Sequence, residues 1–231
     1  MNRQSGKRSN NNRINFRNRR MQNYIKIGIV VLLAVLIGLI VYTVVSGNNQ
    51  YSEIESAQVD ASKPDIDVQL LEPNAYSRPQ TETEKIKNIV IHYTANPGST
   101  AMDNRNYFNG LKDSKKTQAS SNFVVGLDGE IVQCVPTWEV AYASNDRNID
   151  SISIEFCHED KTGIPNNSTY SSLVQLCAWL CMKFDLTSED IIRHYDITGK
   201  ICPKYFVDNE EAFEQFKGDV QDAIERGDSS Q

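Results

Sequence analysis

The first 26 residues of the chain contain no acidic side chain, and the 19 that follow contain no charge of either sign. The first absence leaves eight basic groups unopposed: Arg3, Lys7, Arg8, Arg13, Arg17, Arg19, Arg20 and Lys26. With eight of the 24 basic groups placed there, 16 remain in the other 205 residues against 30 acidic ones, a formal charge of −14. An acidic body without clustered Lys and Arg argues against a nucleic-acid partner, because phosphate binding needs such clusters. The second absence is the run 27–45, IGIVVLLAVLIGLIVYTVV. At about 1.5 Å per residue it reaches roughly 28 Å, close to the hydrocarbon thickness of a bilayer. Buried core helices rarely run so far without a polar residue, so a transmembrane helix is expected over 27–45. Basic residues before it and acid after it orient the N-terminus in the cytoplasm and the body outside the cell. No A-x-A-like site follows the run, which is also longer than a usual signal-peptide core, so the helix is read as an uncleaved anchor.

Other features are scarce. There is no internal repeat and no H-E-x-x-H, the signature expected of one large class of zinc peptidases. Histidine occurs three times, and cysteine five times, at Cys134, Cys157, Cys177, Cys181 and Cys202. An odd number of cysteines outside the cell leaves at least one unpaired or bound to something else. Cys177 and Cys181, four apart on a helical face, suit small core positions.

Five segments are expected: a basic cytoplasmic tail (1–26), the membrane helix (27–45), a polar stalk (46–84), a globular domain (85–226) and a short tail (227–231). The stalk is rich in Ser, Asn, Gln, Asp and Glu and poor in apolar clusters, as a solvated linker is. Within it, Pro73 and Pro79 bracket Tyr76 and Arg78, a pattern that suits an ordered extended arm packed on the domain. From Lys87 on, β-branched runs predict strands at 88–93, 121–126, 130–135, 151–157 and 191–194. Asp128-Gly129 between the second and third predicts a hairpin. Helices are predicted at 102–111, at 170–184 with Ser171 or Thr169 as cap, and at 210–224. Strands interleaved with helices and one hairpin indicate an α/β domain with a mixed central sheet flanked by helices.

Candidate chemistry gathers at strand ends, where a sheet presents rigid side chains to a cleft. His92 closes the NIVIH strand, His194 closes IIRH, and Cys202 follows eight residues later. Two imidazoles and a thiolate would make a three-ligand zinc site with a fourth position open for water; by spacing alone, single histidines are more often core or surface residues. IVIHYT, SSNFVVGLDG, SISIEF and RHYDITGKICP, in this order, resemble the N-acetylmuramoyl-L-alanine amidase family, whose fold is shared with the peptidoglycan recognition proteins. The likeness spans about residues 88–206, and the H-x5-K-x-C-P ending is its most specific part.

The resemblance implies Zn2+ held by His92, His194 and Cys202. It implies a catalytic Glu155 that moves the proton of the attacking water, and a catalytic Lys200 that stabilises the oxyanion. The substrate implied is peptidoglycan, cut between the N-acetylmuramoyl lactyl group and L-alanine. Several family members carry a Tyr before the N/H-F pair; here Ser121 precedes Asn122-Phe123, which shifts weight onto Glu155. Trp138, Asn145, Asp146, Arg147 and Thr198, on nearby loops, are expected to contact substrate. His158 is expected on a loop near the cleft. The alternative function is a non-catalytic peptidoglycan sensor or wall anchor on the same fold; retention of Cys202, Glu155 and Lys200 favours the enzyme.

Overall fold

A computed structural model of the protein describes residues 21–39, 54–55 and 57–228. Met21–Leu39 is one helix, α1, long and apolar enough to cross a membrane. It starts before the expected span, whose residues 40–45 lie outside the described residues, as do most of the basic tail, the first part of the expected stalk and residues 229–231. By its contacts the chain divides at Ser52 and Glu53 into two compact units.

The second unit is built on a six-stranded mixed sheet. In chain order its strands are β1 (Asp67–Val68), β2 (Asn88–Tyr93), β3 (Phe123–Val125), β4 (Ile131–Gln133), β5 (Ser151–Phe156) and β6 (Ile191–Arg193), arranged spatially β1-β4-β3-β5-β2-β6. Only β3 and β4 run antiparallel, joined by the expected turn at Asp128-Gly129; Gly129 has φ +84°, a conformation glycine adopts without steric cost. The other four pairings are parallel. The central strands are covered on both faces, which explains why NIVIHY and SISIEF read as nearly continuous apolar runs.

Helix α2 (Ala101–Ser114) starts in a capping box of Thr100 and Asp103 and packs near β3 and β4, burying Ala101, Phe108 and Leu111. Helix α3 (Asn167–Phe184) is capped by Asn166, whose side chain accepts from Thr169 N. The expected Thr169 or Ser171 cap therefore gives way to a residue earlier in the chain. Thr169 is instead buried and donates its hydroxyl to Gly126 O. Two short helices, α4 (His194–Thr198) and α5 (Lys204–Asp208), precede α6 (Glu210–Asp228), which packs along α3. Phe206 of α5 packs against Phe213 and Phe216 of α6. All five cysteines are buried free thiols.

The segment expected as a solvated stalk is corrected by the structure. From Ile54 it is a strap bound to the body. Ile54 and Ala57 are buried, and Arg226 donates to Val59 O and Ala57 O. Asp67–Val68 adds a parallel edge strand to β4, and Leu71 is buried against Phe108 and Val132. The proline-bracketed arm is fastened by Arg78, which donates two 2.8 Å hydrogen bonds to the Glu139 carboxylate and a third to Leu71 O. The polar composition misleads because this segment satisfies its backbone through the body and needs few apolar side chains of its own.

Both members of the Arg78–Glu139 pair are largely buried. Removing one leaves an uncompensated buried charge, which typically costs about 3–5 kcal/mol. Arg78→Ala is therefore expected to lower the unfolding free energy by that amount in a urea titration. A loss below about 1 kcal/mol would mean that the strap is not fastened there.

Candidate active site

The parallel register sets the geometry. In the β2–β5 pairing His92 lies opposite Glu155, and in the β2–β6 pairing Ile91 lies opposite Arg193. The residue directly after β6 is His194, so His92, Glu155 and His194 sit at one level at the ends of three adjacent strands. That level is the C-terminal end of the strands, where open α/β sheets bind ligands. His194 is the first residue of α4 rather than the last of a strand. The preceding Arg193 is clamped: it donates to Asp196 and Glu210 carboxylates and to Phe206 O. Helix α4 ends at Gly199, φ +74°, a left-handed position that suits glycine. The chain then turns back, and Tyr195 N donates to Cys202 O at 2.9 Å, which returns Cys202 to the sheet edge.

One ligand atom from each of His92, His194 and Cys202 lies within 4.8 Å of the others, and all three residues are buried. Cys202 Sγ is 3.8 Å from His92 Nδ1. His194 Nδ1 is a buried atom with no hydrogen-bond partner. A buried, unpaired imidazole nitrogen beside a thiol and a second imidazole is a donor set that fits a zinc ion, and its cost is relieved when a cation takes the lone pair.

A cleft of about 420 Å³ opens onto these residues and is also lined by Glu155 and Lys200. Glu155 Oε2 is buried without a partner. Burial raises the Glu155 pKa to about 8, against a smaller opposing pull from Lys200. Burial also holds His92 well below the usual imidazole range, helped by His194 and Lys200, and lowers His194. Both rings are therefore neutral and able to ligate. The Cys202 thiol is pushed up to about 12, chiefly by burial and then by Glu155.

Of the loop residues expected to contact substrate, Asn145 lines the cleft. The others do not. Trp138 is exposed and lines a separate hollow with Thr137 and Lys183. Arg147 turns to Asp150 and Asn88, where it ties loop to strand. Asp146 lies exposed on the same turn, and Thr198 donates its hydroxyl to His194 O. His158 is buried and stacks on Tyr93, with its Nδ1 2.6 Å from Asp160 O, apart from the His–His–Cys cluster. Ser121 is buried and donates to Phe123 O, away from the cleft. Sequence reasoning missed Tyr93, Thr94, Phe108, Gln118 and Tyr142 as cleft walls. Tyr93 and Thr94 directly follow His92 and were within reach; Tyr142 arrives on a loop that carries no signal.

The Glu155 shift makes a prediction about stability. Its folded value, about 8, lies above the ordinary 4.5. The neutral carboxyl is thus favoured by the fold, and stability is lost as pH rises from about 4.5 to about 8. In the metal-free protein, Glu155→Gln should gain on the parent across that window by up to about 1.4 kcal/mol per pH unit. Thermal unfolding at pH 5 and pH 8 measures it; a constant difference between the two proteins at both pH values would contradict the buried, unpaired state of this carboxyl.

Residues 82–205 match the family described as N-acetylmuramoyl-L-alanine amidase (Amidase_2). Over 163 residues the chain is 36% identical to N-acetylmuramoyl-L-alanine amidase CwlL of Bacillus licheniformis, covering 65% of this chain and 45% of that protein. The chain spans less than half the length of the curated relatives it matches over the same region. Among solved structures it is similar to a mutant endolysin from Bacillus subtilis, at 26% identity and a TM-score of 0.57, covering 68% of this chain and 98% of that one. It shares its fold with the Drosophila peptidoglycan recognition protein SD, at 14% identity and a TM-score of 0.50, over 60% of this chain and 89% of that one. With the family matched across more than half of the chain, this protein belongs to the N-acetylmuramoyl-L-alanine amidase family.

Proposed function

We propose that the chain is a membrane-anchored, zinc-dependent N-acetylmuramoyl-L-alanine amidase that hydrolyses peptidoglycan between the lactyl group and L-alanine. The observation that carries this reading is the convergence of His92, His194, Cys202, Glu155 and Lys200 on one cleft. Family membership and the amidase names of the relatives support the reaction. The buried His–His–Cys set supports zinc.

Each residue has a task that its chemistry suits. His92, His194 and Cys202 would hold Zn2+, with Cys202 giving up its proton as the metal binds. Zinc supplies, when bound, a charge that favours the Glu155 carboxylate and the Lewis acidity that activates water and the amide carbonyl. Glu155 accepts the proton of the attacking water and passes it to the departing alanine nitrogen, which would otherwise leave as an unstable amide anion. Lys200, on the exposed side of the cleft, brings a positive charge to the oxygen on which negative charge develops. The cleft walls Tyr93, Phe108 and Tyr142 offer apolar faces, while Gln118 and Asn148 offer hydrogen bonds to a peptidoglycan stem and its sugar.

The proposed location rests on the N-terminal region. The apolar helix Met21–Leu39 supports anchoring, and the excess of basic residues before it supports a cytoplasmic N-terminus with the catalytic domain outside. The basic tail, anchor, polar connection and amidase domain form the proposed division, with the domain's edge moved forward to include the strap.

Two experiments test these readings. Incubated with peptidoglycan, the parent should release stem peptides with a free N-terminal alanine. Glu155→Gln should lower turnover about 10²–10⁴-fold while retaining zinc, and Lys200→Ala should raise the barrier by about 3–4 kcal/mol. Binding of peptidoglycan and zinc by the parent without amine release would favour the sensor. For topology, protease added to wall-stripped cells should degrade the body beyond Gly47; full protection with the membrane intact would overturn the orientation.

A further inference from the structure

Both histidines of the cluster use only one ring nitrogen toward it. The other nitrogens point to two consecutive residues of a loop. His92 Nε2 lies 3.2 Å from Ser144 Oγ, and His194 Nε2 lies 3.3 Å from Asn145 Oδ1. An amide oxygen only accepts hydrogen bonds, so His194 Nε2 must carry the proton and Nδ1 the lone pair. The same arrangement suits His92, whose Nδ1 faces Cys202.

The loop is itself fastened to the three strands that bear the site. It opens a short 3-10 helix, Asn145–Ile149. Asn148 Oδ1 accepts from Ala143 N and Ser144 N. Arg147 donates to Asn88 Oδ1 at the start of β2, and Arg147 O accepts from the Ser151 hydroxyl at the start of β5. Asn88 in turn donates to Asp190 O, the residue before β6. Asn145 sits at φ +53°, a left-handed conformation that Asn tolerates better than most residues. Its side chain serves the ring while its backbone makes the turn.

We infer that Ser144 and Asn145 are positioning residues for the metal centre: together they hold His92 and His194 as Nε2–H tautomers and so present both Nδ1 atoms to the ion. This gives Asn145 an orienting role beside the substrate contact expected for it, and it rests on the zinc reading above. Partners that orient ligating histidines are worth about 10–100-fold in metal affinity.

The test uses the full chain in detergent micelles, with zinc affinity measured by competition against a chromogenic chelator. Ser144→Ala and Asn145→Gly should each weaken zinc binding about 10–100-fold. Glycine is chosen because it accepts the positive φ without strain. Asn145→Asp keeps an acceptor and should stay within about threefold of the parent, a marginal change by the scale of such effects. The chain has three histidines, so 15N-histidine spectra of the metal-free protein resolve the tautomers directly. His194 should be an Nε2–H tautomer in the parent and in Asn145→Asp, and a tautomer mixture in Asn145→Gly. Unchanged zinc affinity in Ser144→Ala and Asn145→Gly overturns the inference. So does equal loss in Asn145→Asp and Asn145→Gly, because the acceptor would then be irrelevant. A parent that binds no zinc at all overturns the zinc reading itself, which is a different result.

Discussion

Three parallel strands in a fixed register hold the site together. Shifting β5 by one residue against β2 would turn the Glu155 side chain to the opposite face of the sheet, because strand side chains alternate. Shifting β6 would carry His194 away from His92. Register is protected by the burial of Ile89, Ile91, Ile152 and Ile154, since a slip would exchange their apolar side chains for Ser, His and Glu in the packed layers. The chemistry at the strand ends is therefore only as exact as the packing beneath it.

Burial has a second effect. It places a carboxyl, two imidazoles and a thiol in one poorly solvated region, and each is driven towards its neutral form. Without a cation the cluster is a set of neutral groups with unsatisfied atoms. The fold tolerates this because the surrounding layers over-determine the positions, as is common where strain or unpaired polarity serves a reaction.

The central part of this arrangement was legible in the sequence. NIVIHY and SISIEF announce buried strands through β-branched residues, and His92 and Glu155 break the apolar pattern at the strand ends where they matter. Asp128-Gly129 announces its hairpin. The rest depends on partners distant in the chain. Arg78 and Glu139 are separated by 61 positions, and His92 and Ser144 by 52; neither pair has a periodicity to betray it. Strand β1 has two residues, Asp67 and Val68, and its identity comes entirely from β4. Trp138, conspicuous as an aromatic on a loop, proved to be outside the cleft, because residue type carries no direction.

The strap has a mechanical meaning. Tension applied to the chain N-terminal to Ile54 would reach the body through attachments in series. The bond from Gln215 Nε2 to Ile54 O comes first, then the grip of Arg226 on Ala57 O and Val59 O, the Gln175–Ser62 contact, the β1–β4 pairing, the grip of Arg105 on Gln69 O and Leu70 O and the Arg78–Glu139 clamp, and last the backbone bonds from Thr83, Glu84 and Lys87 to Trp138, Ile149 and Asp150. Each must yield before load passes to β2 and His92. A body held in this way would dissipate pulling force along its flank and keep the geometry of the cleft undistorted, in the way a strain relief protects the terminals of a cable.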